Sequence, residues 1–174
     1  MADSGLPRRH PPGARPLAEQ SARPGRSFFF RPADAVSQVG GPEVEQRTLA
    51  HLRRLRQQVP GIGGSMVATS EGLLVTHDML DLEPGHAAAV IATTLSVVRE
   101  AARLTSRGQL REAVVHGTTG YLAVFAVGAE AALAVFGDKD LNVGMLHYQT
   151  REAVRHLEKD AHEFRRFATS LPVP

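Results

Sequence analysis

Eight histidines, His10, His51, His77, His86, His116, His147, His156 and His162, are the side chains here best suited to proton transfer or metal binding. None stands in an HExxH pattern, where two imidazoles a helical turn apart hold zinc beside a glutamate base. The chain has no cysteine, which excludes thiolate zinc sites, Cys nucleophiles and disulfides together. No Gly-x-Ser-x-Gly elbow presents a serine. Thr118–Thr119 lie between glycines and read as turn residues rather than nucleophiles. His77–Asp78, at the end of an expected strand, is the most suggestive pair, and its plainer reading is an exposed loop histidine. Gly61–Ile62–Gly63–Gly64 has the composition of a phosphate loop, but such a loop follows a strand and opens a helix. Here a helix comes first and a strand follows, so the glycines read as a tight turn. Residue chemistry alone therefore describes a binding module, with no catalytic constellation, metal set or cofactor motif.

The 174 residues leave room for one ordinary domain with tails, and an apolar content of 43% is enough for a core. The net charge of +2 is unevenly placed. Residues 1–42 hold six arginines against Asp3, Glu19 and Asp34, and seven of the eleven prolines. Such a segment buries too little apolar surface to offset its ordering entropy, so a disordered Pro/Arg-rich tail is expected. Within it Phe28, Phe29 and Phe30 stand together between Arg26 and Arg31. They are either a docking motif, a segment that folds back onto the domain, or an incidental cluster. The rest of the chain is near neutral, a poor footprint for nucleic acid. No signal-like run opens the sequence, and no stretch reaches the ~20 apolar residues of a membrane span. A cytoplasmic location is expected.

Residues 43–167 carry the periodicity of one domain, with 168–174 a short tail. Glu43–Gln58 is an expected helix, with Val44, Thr48, Leu52, Leu55 and Val59 on one stripe and Arg53, Arg54 and Arg56 off it. Ser65–Thr69 and Leu73–His77 are expected strands joined by a Ser70–Glu71–Gly72 turn. A second helix is expected over Pro84–Leu104, capped by Asp81 or Glu83. Strands at Leu110–His116, Tyr121–Val127 and Ala131–Phe136 follow, with gaps short enough to require antiparallel hairpins. A last helix over Leu141–Phe167, with Asp140 as its cap, has Leu146, Thr150, Ala153, Leu157 and Phe164 on its apolar side. Element order α-β-β-α-β-β-β-α gives an α+β three-layer sandwich around a five-stranded antiparallel sheet. The second helix would cover one face, and the first and third the other.

The second helix is unusual. From His86 to Val98 it has no Asp, Glu, Lys or Arg. A helix lying on a sheet needs one apolar stripe. This one has two: Ala87, Ile91, Thr94, Val98 and Ala101, and about 60° around it Val90, Val97 and Leu104. It is expected to pack on its own sheet and on a second partner.

Leu52–Arg53–Arg54–Leu55, then Val59–Pro60–Gly61–Ile62–Gly63–Gly64–Ser65 and Ser70–Glu71–Gly72–Leu73–Leu74–Val75, resemble the opening of a Roadblock/LC7 domain. Such domains begin with a helix ending in Val-Pro-Gly, a strand, an acidic-Gly turn and a second strand. Tyr121–Leu122–Ala123–Val124, Leu133–Ala134–Val135–Phe136 and Leu141–Asn142–Val143–Gly144–Met145–Leu146 resemble its closing hairpin and last helix. The likeness spans about residues 43–160 and is nearest the bacterial, actinobacterial-type members. It implies a profilin-like layout and a non-enzymatic homodimer whose third strands pair edge to edge while the second helices lie side by side. Carried over by position, the seam would take Val90, Ile91, Thr94, Leu95 and Val98 on the helix, and Leu110, Glu112, Val114 and His116 on the strand. It further implies a role as regulator or scaffold of a small Ras-like GTPase, in some members beside sensor-kinase components. The Pro/Arg-rich leader has no counterpart in the family core, and Glu71–Gly72 stands where Asp-Gly is usual. A small-ligand sensor of PAS or profilin layout is the alternative, although the apolar central strand offers few polar anchors for a ligand.

Overall fold

Pro42 opens the first helix, α1 (Pro42–Gln58), at the position where a missing N–H costs nothing, and Glu43 and Glu45 favour its positive end. Val44, Thr48, Leu52 and Leu55 form its buried stripe, the spacing the sequence shows. In this computed structural model, which describes residues 41–79 and 82–169, seven elements follow. They are β1 (Ile62–Thr69), β2 (Leu74–Asp78), α2 (Pro84–Leu104), β3 (Glu112–His116), β4 (Gly120–Val127), β5 (Ala131–Asp138) and α3 (Val143–Thr169). The expected tail through Gly40, with Phe28, Phe29 and Phe30, lies outside the described residues, as does the end from Ser170.

The five strands form one antiparallel sheet in the order β2-β1-β5-β4-β3. β5 is its centre, and Ala131 to Val135 are wholly buried. Alternation along the strands sorts side chains to two faces. Val67, Ala123, Phe125, Leu133 and Val135 meet α1 and α3 through Leu52, Leu55, Leu146, Leu157 and Phe164. Met66, Ala68, Val124, Ala132 and Ala134 meet α2 through Ala88, Ile91 and Leu95. The alanines on the second face let α2 sit close. The expected three-layer sandwich and its distribution of helices are therefore present.

Element ends differ from the sequence reading where local hydrogen bonding decides them. β1 starts at Ile62 rather than Ser65, because Ile62 and Gly64 already pair with Gly137 and Phe136 across a register shift. β3 starts at Glu112, and Leu110 leaves the strand to pack, half-buried, beside the α2 face. Asn142, not Asp140, caps α3: its Oδ1 accepts from the Met145 N–H at 2.9 Å. Asp140 instead donates its own N–H to Asp138. Glu83 caps α2, accepting from the Gly85 and His86 N–H groups at 3.0 and 2.6 Å; Asp81 lies outside the described residues.

One close approach ties the two ends of the sheet core together. Gly61 takes φ +88°, and a Cβ there would stand 2.8 Å from the Leu141 Cα. Its carbonyl accepts from the Asp138 N–H at 2.9 Å. The glycine turn therefore makes room for the chain entering α3, which is a packing task and not phosphate binding. Gly61→Ala should destabilise the domain by about 1–3 kcal/mol through backbone strain and crowding, read as a lower midpoint in urea unfolding with an unchanged slope.

Candidate functional site

On α2 the two stripes part company. Ile91 and Leu95 are 2% and 1% exposed and lie in the core against the protomer's own sheet. They are therefore core residues and not available to a seam, which corrects the positional carry-over. Val98 is half-buried beside them. Facing outward are Val90 at 46%, Val97 at 64% and Leu104 at 68% exposure, with Thr93 exposed and Thr94 half-buried. The hydroxyls of this surface are turned inward. Thr93 donates to the Ala89 carbonyl, Thr94 to that of Val90 and Ser96 to that of Ala92, at 2.9, 2.9 and 3.0 Å. A threonine so bonded satisfies its hydroxyl within the helix. The nearby charges are occupied as well: Arg99 donates to the Gly128 and Ala129 carbonyls at the β4–β5 turn, and Arg103 pairs with Glu100.

Beside this helix the sheet ends in β3, which has no strand beyond it among the described residues. Val114 and Val115 are exposed. Register places Ala113 and Val115 on the α2 side, opposite Val124 and Leu122, and Glu112, Val114 and His116 on the α3 side. α2 packs on β1, β5, β2 and β4, so the α2 side of β3 is left open. On the other side two contacts fix polar groups. Glu112 Oε2 meets His147 Nδ1 of α3 at 2.7 Å, and His116 stacks on Tyr121 with ring centres 4.2 Å apart and planes 4° from parallel. The uncharged helix and the exposed Val115 of the open edge lie on the same side of the sheet. Val97, Leu104 and Val115 belong to this surface although they were not among the carried-over positions. The second apolar stripe had signalled the first two, whereas nothing in the sequence marked Val115.

A second arrangement joins α1 to α3. His51 and His156 stack with ring centres 4.9 Å apart, in a shallow groove with Arg54, Gln58, Gln149 and Glu152. Burial holds the His51 pKa below its ordinary value of 6.5. His156 acts in the same direction, Asp160 and Glu152 oppose it, and Arg54 reinforces it. His77 and Asp78 do not converge: His77 pairs across with Met66 on the α2 side, while Asp78 bonds Arg56 of α1 at 3.3 Å. Arg56 thus ties α1 to the end of β2. Among the described residues no group of three or more His, Asp or Glu is placed to hold a metal ion, and no helix is long and apolar enough to cross a membrane.

The sheet order, the single helix on one face and the open third strand define a Roadblock/LC7-type sandwich. The family model described as the Roadblock/LC7 domain matches residues 48–136, and the chain belongs to that family. A Roadblock/LC7 domain from Streptomyces avermitilis is 25% identical with a TM-score of 0.59, over 63% of this chain and 93% of its own. The gliding protein MglB of Thermus thermophilus is 18% identical with a TM-score of 0.65, over 73% of this chain and 97% of its own. MglB of Myxococcus xanthus is 17% identical with a TM-score of 0.61, over 65% and 93%. At these identities the MglB structures share the fold. No curated protein matches the chain.

Two outcomes follow from the geometry. Because Ile91 lies under the helix, Ile91→Arg should unfold the protomer by forcing a charge into the core, seen as loss of a cooperative melt. For His51 the folded state resists protonation more than the unfolded chain does. Unfolding then takes up a proton in the window below 6.5. Stability should be full above that value and fall as pH drops toward the lowered folded pKa. His51→Gln should flatten part of this slope when urea midpoints at pH 8 and pH 5 are compared.

Proposed function

We propose that this chain is a non-enzymatic homodimeric regulator or scaffold for a small Ras-like GTPase in bacterial signalling. The observation that carries the reading is the uncharged outer face of α2 together with the unpaired edge of β3 among the described residues. A soluble domain rarely leaves such a surface in water unless a partner covers it. A second copy offers the same helix and the same edge, and a two-fold axis brings like surfaces together. The Roadblock/LC7 resemblance implies this pairing of helices and strands, and it implies the GTPase as the further partner. In this reading the paired helices form the platform. It acts by binding one conformation of the GTPase better than another and so shifting its switch loops, with no chemistry of its own. Sensor-kinase components and a cytoplasmic setting belong to the same reading. The sensor alternative gains little support, because the strands' inner faces are filled by Ala, Val and Leu side chains with no exposure.

Light scattering on the full chain should give a dimer at micromolar concentration. Val97→Arg, on the outer face, should give a monomer with nearly unchanged melting temperature. The wild-type chain should retain a small GTPase from the same genome, with a preference between its GDP-bound and GTP-analogue-bound forms. A strict monomer, or no binding to any such GTPase, would overturn the reading.

A further inference from the structure

The edge of β3 carries a pattern that favours one alignment with its own copy. The Ala126 N–H donates to the Arg111 carbonyl at 2.9 Å, and the Gly117 N–H to that of Gly120 at 2.8 Å. In an antiparallel ladder, residues alternate between bonding the neighbour and facing away. Arg111, Ala113, Val115 and Gly117 therefore turn their backbone to β4. The N–H and C=O groups of Glu112, Val114 and His116 point out of the sheet. Resting on the dimer proposed above, we infer that two β3 strands pair antiparallel with Val114 on the two-fold axis, so that Glu112 of each protomer contacts His116 of the other.

Three features favour this register. First, outward residues must face outward residues, so slips by a single residue are excluded. Centring on Val114 pairs all three outward residues of each strand, whereas centring on Ala113 or Val115 leaves one without a strand partner. Second, the side chains match. On the α2 side Ala113 meets the partner's Val115 twice, which covers a valine that α2 leaves open. On the α3 side Val114 meets itself, and Glu112 meets the partner's His116 twice. A shift to Ala113 would set Glu112 against Val114 and leave His116 beside Leu110. Third, both polar groups are already held. Glu112 is anchored by His147 through Oε2 alone, leaving Oε1 without a partner among the described residues. His116 is fixed flat on Tyr121. Directly opposite residues lie close enough for such side chains to touch. The imidazole donates a ring N–H to the partner's carboxylate, a bond available in either protonation state. On the α3 side the pair faces His147 of α3 and Tyr121 of β4, with Arg151 and Glu158 on the His147 side of α3 by helical spacing, whereas Arg111 alternates to the α2 side.

The chain has no cysteine of its own, so one introduced cysteine is the only thiol. Under mild copper-catalysed oxidation of the full chain, Val114→Cys should give a disulfide-linked dimer on a non-reducing gel. A mixture of Glu112→Cys with His116→Cys should link only as the mixed pair. Ala113→Cys or Val115→Cys alone should link poorly, since their copies stand two residues out of step, roughly 8 Å apart between Cα atoms and beyond disulfide reach. Linkage at 113 or 115 in place of 114 would overturn the register while leaving the dimer intact. A monomer by light scattering would instead remove the dimer itself. His116→Glu, which sets like charges opposite each other twice, should raise the dimer dissociation constant about tenfold. Adding Glu112→Gln should recover most of that loss. An unchanged dissociation constant in His116→Glu would overturn the Glu112–His116 contact.

Discussion

One helix cannot cover five strands. Strands about 4.8 Å apart make this sheet roughly 20 Å across, and a helix with its side chains is about 10 Å wide. α1 and α3 together match one face. α2 alone faces the other, and it packs over β1, β5, β2 and β4 rather than β3. That mismatch of widths sets the rest of the structure. It explains why the strand residues under α2 are small, because a close helix covers more of a sheet than a distant one. It also explains the gradient of burial along one row of the sheet: Val115 is exposed, and its cross-strand neighbours Leu122 and Phe136 are half-buried.

The outer surface of α2 is made apolar by more than its valines. Thr93, Thr94 and Ser96 would ordinarily present hydroxyls to water, but each hydroxyl bonds the carbonyl four residues back. What they contribute outward is methyl and methylene. Arg99 and the Glu100–Arg103 pair sit at the margin, each already engaged. The helix therefore has two apolar sides, which few helices on the outside of a sandwich have. In a dimer the second side meets a copy of itself. Charge is kept at the strand edge, where geometry can use it for alignment.

Much of this was legible in the sequence. Period-3.6 stripes placed α1 and α3 and their buried residues, and short Gly-containing gaps required the hairpins. The apolar circumference of residues 86–98 announced a second contact for α2. It did not say which residues served which contact, because a helix apolar all round carries no polar marker of its inward direction. Ile91 and Leu95, core residues in the fold, are therefore indistinguishable by periodicity from the outward stripe. Starts of elements were also hidden where a distant residue decides them: Ile62 joins the sheet through Gly137. The His51–His156 stack joins two helices about a hundred residues apart in the chain, and no local pattern foretells it.

The sheet has two edges, and they are not alike. β2 shifts register against β1 between Val67 and Ala68, α1 packs against it, and Arg56 reaches over to Asp78. Irregularity and nearby charge of this kind discourage a strand from recruiting another. β3 is regular through all five of its residues. A sheet open at both ends could add copies indefinitely, as fibres do. With the pairing proposed above, a sheet open at a single end closes after two, and the guarded β2 edge is what would make the assembly finite.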